Sequence, residues 1–184
     1  MMGTGYDDLQ IMADFFNTHD KRMRFDGDPG VEHLNHPKDL YLWLLRHHLI
    51  SKQEEVTKEE LELAVRLRTE ARKIIANNVF EHDENGLDAF NELMKGFSFT
   101  LHFSDNGEEL KPIRSNGMNG LARLAILIFE LKRKKVWHRI RVCSAPDCQW
   151  VFVDHSRPGT GKWCTMKACG NRAKNKTYRH RKKV

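Results

Sequence analysis

All four cysteines of this 184-residue sequence lie in one short stretch, as Cys143, Cys148, Cys164 and Cys169. Their spacing reads C-x4-C, fifteen residues, C-x4-C, and no other feature restricts the fold as much. Two short, equally spaced pairs suit a tetrahedral zinc site, in which each pair supplies one edge. The competing reading is two disulfides or buried thiols. No basic segment followed by an apolar run opens the sequence, so a cytoplasmic rather than a secreted, oxidising setting is expected. His138 and His155 lie nearby in sequence, but four thiols already complete a ligand set. One structural zinc is therefore expected, because four thiolates leave no coordination position for water or substrate. A module of about 45 residues also falls near the size at which an apolar core is insufficient and a metal compensates.

The net charge of +6 is unevenly distributed. Val136–Val184 hold 12 Lys+Arg against two acids, Asp147 and Asp154, whereas the preceding 135 residues hold 19 against 23. An acidic body followed by a basic module points to a polyanionic partner for the module, the bland alternative being a solvated tail. With 40% hydrophobic and 30% charged residues, the chain is neither collagen-like nor wholly disordered. The longest apolar run, Leu124–Phe129, is far short of the roughly 18 residues of a membrane span, so no membrane partner is expected. No glycine-rich phosphate loop, nucleophile elbow or paired-carboxylate motif is present, and no enzyme is expected.

Apolar periodicity makes the body mostly helical. Leu9, Met12, Ala13 and Phe16 mark one helix, which breaks near Asn17–Thr18 and is followed by a loop from His19 to Gly30. Pro37 suits a first helical position, with Asn35 or His36 as cap. Thr57 and Glu60 form a capping-box pattern before a stripe running from Leu61 through Ile75 to Val79. A shorter helix carries Leu87, Phe90, Leu93 and Met94 and stops at Gly96. Phe97, Phe99, Leu101 and Phe103 alternate as a strand, Asp105-Asn106-Gly107 is hairpin chemistry, and Pro112 confines the return strand to an edge. A last body helix spans about Asn119 to Lys135. The fold class is α+β. A mostly helical N-terminal domain with a β-hairpin (residues 1–136) precedes a small treble-clef-like zinc finger (residues 137–184), ordered as knuckle, hairpin and helix.

That final helix, from about Thr165 to Arg181, places Arg172, Lys176, Arg179 and Lys183 on one stripe and Lys167, Lys174 and Arg181 on its neighbour. With Arg157 and Lys162 from the preceding turn, these are the candidate DNA-binding residues, since Lys and Arg neutralise phosphates and Arg also reads base edges. The alternatives are a module for RNA or for an acidic protein. Trp150, Trp163 and Tyr178 have faces on which bases can stack, although the two tryptophans are expected to pack beside the zinc.

Several runs resemble a known pair of domains. Cys143-Ser-Ala-Pro-Asp-Cys148, Trp150-Val-Phe-Val-Asp154, Ser156-Arg157, Trp163-Cys164-Thr-Met166 and Cys169-Gly170-Asn171-Arg172 resemble the CGNR zinc finger. Asp14-Phe-Phe-Asn-Thr18, Leu40-Tyr-Leu-Trp-Leu44, Leu67-Arg68 and Ala71-Arg72 resemble the ABATE domain that usually precedes that finger. The resemblance implies a bacterial, stress-related transcriptional regulator whose finger binds DNA and whose body senses a small-molecule effector. One departure stands out: Gly161-Lys162 precede Trp163 where the finger commonly has two arginines. In the family reading Asn17, Thr18 and Arg68 meet an anionic ligand; otherwise Asn17–Thr18 caps a helix end and Arg68 pairs with an acid. A homodimer is a common arrangement for DNA readers, but no heptad seam is present and the oligomeric state is left open.

Overall fold

A computed structural model describes residues 5–77, 87–105, 107–113 and 117–181. Helix α1 (Gly5–Phe16) buries Leu9, Met12, Ala13, Phe15 and Phe16. It ends at Asn17–Thr18, where the Thr18 hydroxyl donates to the Phe15 carbonyl at 2.7 Å, a group the helix end leaves without a helical partner. The next stretch, expected as a loop, closes on a two-residue ladder of β1 (His19–Asp20) and β2 (Val31–Glu32). Carboxylates shape the connection. Asp20 accepts from the backbone and guanidinium of Arg22, and Asp28 accepts from the amides of Arg24 and Gly30.

Helix α2 (Pro37–Arg46) begins at its proline, and the Asp39 carboxylate accepts from the amides of Asn35 and His36. Helix α3 (Lys58–Asn77) carries the expected capping box. Thr57 N donates to Glu60 Oε2 at 2.8 Å, and Glu60 N donates to Thr57 Oγ1 at 3.2 Å. The other Glu60 oxygen accepts from Met118 N at 2.9 Å, at the start of α5 (Gly117–Arg133). One buried carboxylate thus serves two helix N-termini, where unpaired amides and the helix dipole both favour negative charge. A Cβ on Gly117 would overlap that carboxylate. Gly117→Ala should therefore destabilise the protein by about 1–3 kcal/mol in thermal or urea unfolding. An unchanged melting curve would show that Glu60 shifts aside without loss.

Between these helices lie α4 (Asp88–Met94) and the antiparallel hairpin of β3 (Phe99–Ser104) and β4 (Gly107–Pro112), in register from Phe99–Pro112 to Ser104–Gly107. Val79 and Asn106, read above as part of a helical stripe and of a turn, lie outside the described residues. The alternation in β3 marks a strand but not a buried face. Phe97 is buried and Phe99 packs on the core, while Leu101 and Phe103 are 62% and 76% exposed, towards the hairpin tip.

A 3-10 turn (Trp137–Arg139) leads into the finger. Strands β5 (Ile140–Val142) and β6 (Val151–Val153) pair antiparallel, and the first cysteine pair lies in the connection between them. The knuckle is therefore the loop of this hairpin rather than an element placed before it. The final helix, read as continuous from about Thr165, divides into a π turn (Met166–Gly170) and α6 (Asn171–Arg181). The Thr165 hydroxyl accepts from Ala168 N at 3.3 Å and caps the first of these.

Finger and body share apolar packing. Strand β6 lies against α1 and β5 against α3, and Trp137, Ile140, Val151 and Val153 belong to the same buried cluster as the cores of α1 to α5. Trp137 meets Phe16 edge-on, with ring centroids 6.2 Å apart. A second, small cluster holds three of the cysteines and Ala145, with Trp150, Phe152 and Trp163 packed beside them, as expected for the two tryptophans.

Candidate metal centre and its surroundings

Four sulfurs converge from two elements. The β5–β6 loop supplies Cys143 and Cys148, and the approach to the π turn and the turn itself supply Cys164 and Cys169. All four Sγ atoms lie within 4.8 Å of one another. Cys148 and Cys164 are separated by 3.6 Å and Cys164 and Cys169 by 3.7 Å. A tetrahedron with zinc–sulfur bonds of about 2.3 Å has edges of about 3.8 Å, so these separations fit zinc. They are far longer than a disulfide bond, and all four cysteines are free. The donor set is that of one structural zinc. Burial pushes the Cys148 and Cys164 thiols up, so holding both as thiolates requires nearby positive charge.

Part of that charge comes from the protein. Arg172 donates to Cys169 Sγ at 3.3 Å and pairs with Asp147 at 3.0 Å. The Arg22 guanidinium, from the body, lies 4.3 Å from the centre of the Trp150 ring. Asp20 holds it there at 2.7 and 2.9 Å, and Arg22 in turn keeps that buried carboxyl well below the usual carboxylate range. The hydrogen bonds to Asp20 dominate the stabilisation of the Arg22 charge, with further attraction from Cys148 and Cys164.

The body also grips the backbone around Cys148. Met23 N donates to Asp147 O at 2.9 Å. Arg72 Nη2 donates to Gln149 O at 2.6 Å, while its Nη1 donates to Phe16 O at 3.0 Å. Asn17 Nδ2 donates to Val151 O at 2.7 Å and Asn17 Oδ1 accepts from Val151 N at 2.9 Å, so this side chain pairs with β6 as a neighbouring strand would. Burial, helped by the nearby Arg68 charge, lowers the Arg72 pKa to about 10. Reading the sequence left Arg22 and Arg72 out of the site. Arg72 was marked only by its place in the Ala71-Arg72 run of the family resemblance, and Arg22 lay unmarked in the loop from His19 to Gly30.

The residues proposed for an anionic ligand are buried and joined to protein groups. Arg68 donates to Thr18 Oγ1 at 2.9 Å and to both Glu32 oxygens at 2.7 and 2.5 Å. Asn17 and Thr18 make the contacts given above. An apolar cavity of about 500 Å³ lies elsewhere in the body, between α4, the β3–β4 hairpin and α5, lined by Phe90, Met94, Phe99, Leu110, Phe129 and Lys132 among others.

Arg157, Lys162, Lys167, Arg172, Lys174 and Arg179 are all exposed. The side chains of Lys176 and Arg181 lie outside the described residues. The module's two acids do little to oppose this charge. Asp147 is paired with Arg172, and Asp154 is buried, accepting from Ser156 N at 2.9 Å and Gly161 N at 2.6 Å. Arg139 and Arg141 donate to carbonyls of Asp154, Ser156 and Gly159 and so hold the turn that presents Arg157. Among the described residues, no helix is long and apolar enough to cross a membrane.

A profile of the CGNR zinc finger matches residues 139–182. A profile of the ABATE family, described as a "putative stress-induced transcription regulator", matches residues 10–129. No curated protein matches the chain.

Proposed function

The chain belongs to the ABATE family and ends in a CGNR zinc finger, and from that premise we propose that it regulates transcription by binding duplex DNA through the finger. The observation that carries this reading is the exposed cation set on a metal-held scaffold, with both acids of the module withdrawn by pairing or burial. Arg157 and Lys162 belong to the turn, Lys167 to the π turn, and Lys174 and Arg179 to α6. Arg172 is committed to Cys169 and Asp147, so its role is to support the metal centre rather than to meet a phosphate first. The body is the regulatory half on this reading. An effector belongs in the apolar cavity beside α5 rather than at Asn17, Thr18 and Arg68, whose polar atoms hold the protein together.

Titration of the full chain with duplex DNA across a salt series tests the reading. About six phosphate contacts give a slope of log affinity against log salt near −5. The double substitution Lys174→Glu and Arg179→Glu should weaken binding at least tenfold and make the slope shallower by about 2. Absent binding, salt-independent binding, or a preference for single-stranded RNA in competition would overturn the DNA reading.

A further inference from the structure

We infer that the helical body is an integral part of the zinc site, with Asn17 and Arg72 as positioning residues for the first cysteine pair and Arg22 as the body's countercharge to the thiolates. This rests on the zinc assignment of the four cysteines and goes beyond the DNA-binding reading, which requires only that the finger be folded.

The body holds Asp147, Gln149 and Val151, alternate residues that bracket Cys148 and Trp150. Cys148 thus sits between two backbone anchors supplied from outside the finger. Gln149 adopts φ 50°, a left-handed conformation unusual for a residue other than glycine, and the Arg72 bond falls on its carbonyl. A knuckle on a free linker has to be ordered by the metal, and ordering it opposes binding. Here α1 and α3 supply that order beforehand.

Charge points the same way. Four thiolates and one divalent zinc carry −2. Arg172 of the finger contacts Cys169, and Arg22 of the body is seated on Trp150, two residues after Cys148. Each half of the protein thus brings one arginine to the rim of the centre. Linkage is reciprocal, so a body that favours zinc binding must itself be held by zinc. That influence reaches Phe16 and Asn17 at the end of α1. It also reaches α3, which carries Arg72 one turn beyond Arg68.

The test uses the full chain. Elemental analysis comes first: a chain without zinc would overturn the metal assignment itself, independently of the clamp. With one zinc bound, transfer to the chromophoric chelator 4-(2-pyridylazo)resorcinol is followed well below the melting temperature. Asn17→Ala and Arg72→Met should lose zinc about 10- to 100-fold more readily than the wild type, the range typical of groups that orient metal ligands. Gly117→Ala, destabilised at the other end of α3, should keep the wild-type rate and so separates positioning from general loss of stability.

Wild-type rates in both clamp variants would overturn the inference. Should either variant fail to fold, two further measurements decide. Arg22→Ala, whose side chain is half exposed, should shift the thiolate-to-metal absorption of the cobalt-substituted protein. In the wild type, zinc removal should speed amide hydrogen exchange in residues 12–18 and 64–76. An unshifted spectrum, with exchange changes confined to residues 137–181, would show a finger that binds zinc without the body.

Discussion

A chain ending at Lys135 is expected to lose most of its stability, not only its binding to nucleic acid. Truncation there removes Trp137, Ile140, Val151 and Val153, which complete the core formed by α1, α3 and α5. Burying each such side chain contributes about 1.5–3 kcal/mol, and the four together about 6–12 kcal/mol. A domain of this size is stable by only about 5–15 kcal/mol. The cut also uncovers Phe16, which Trp137 meets edge-on, and strips Asn17 of Val151 and Arg72 of the Gln149 carbonyl. Urea unfolding of the shortened chain, followed by far-ultraviolet circular dichroism, should show a much lower midpoint or no cooperative transition. A midpoint equal to that of the full chain would mean that the shared core contributes nothing. The result also bears on the DNA test: the shortened body is a poor control, and charge reversal in an intact chain is a better one.

The second large effect belongs to Arg68. Its side chain is 3% exposed and donates to both Glu32 oxygens and to Thr18, joining α3 to β2 and to the end of α1. Arg68→Met should cost about 3–5 kcal/mol, because Glu32 and Thr18 are left without the guanidinium while partly or fully buried. Arg68→Lys should recover little, since an ammonium cannot grip a carboxylate with two parallel bonds. Replacing Arg68 and Glu32 together by methionine should cost far less than Arg68→Met alone, which a double-mutant cycle in urea measures directly. The pH dependence has a defined sign. Burial opposes the Glu32 carboxylate, but Arg68 and the Leu34 amide outweigh it and hold its pKa below the ordinary value. The stabilisation is therefore present above the unfolded pKa near 4.3 and is lost as pH falls through the lower, folded value. Arg68→Met should flatten that acid limb. If Arg68 served an anionic ligand instead, its replacement would leave unliganded stability nearly unchanged.

Much of the architecture was legible because its signals are local. The Thr57–Glu60 box, Pro37 at a helix start, the break after Phe16 and the alternation from Phe97 to Phe103 each involve residues a few positions apart. Spacing also disclosed the four zinc ligands, since two short pairs suffice to outline a tetrahedron. The sequence is silent where a local pattern has more than one tertiary use. Alternation in β3 does not say whether a face is covered, and Leu101 and Phe103 are not. For Asn17, Thr18 and Arg68 the sequence left two uses open, an anionic ligand in the family reading or a capped helix end and an Arg68–acid pair, and the bonds of Thr18 to Phe15 and of Arg68 to Glu32 are those of the second.

The amino-acid order alone determined the metal ligands, the division between an acidic body and a basic tip, and the limits of most helices. Each depends on composition or on spacing within fewer than thirty residues. Only the tertiary structure decided that the two parts form one core and that the body holds the zinc knuckle. Asn17 meets Val151 across 134 positions and Arg72 meets Gln149 across 77, in both cases through backbone groups of the finger. Every residue has a backbone carbonyl and nearly every one an amide, so no sequence pattern marks which of them a distant side chain will reach.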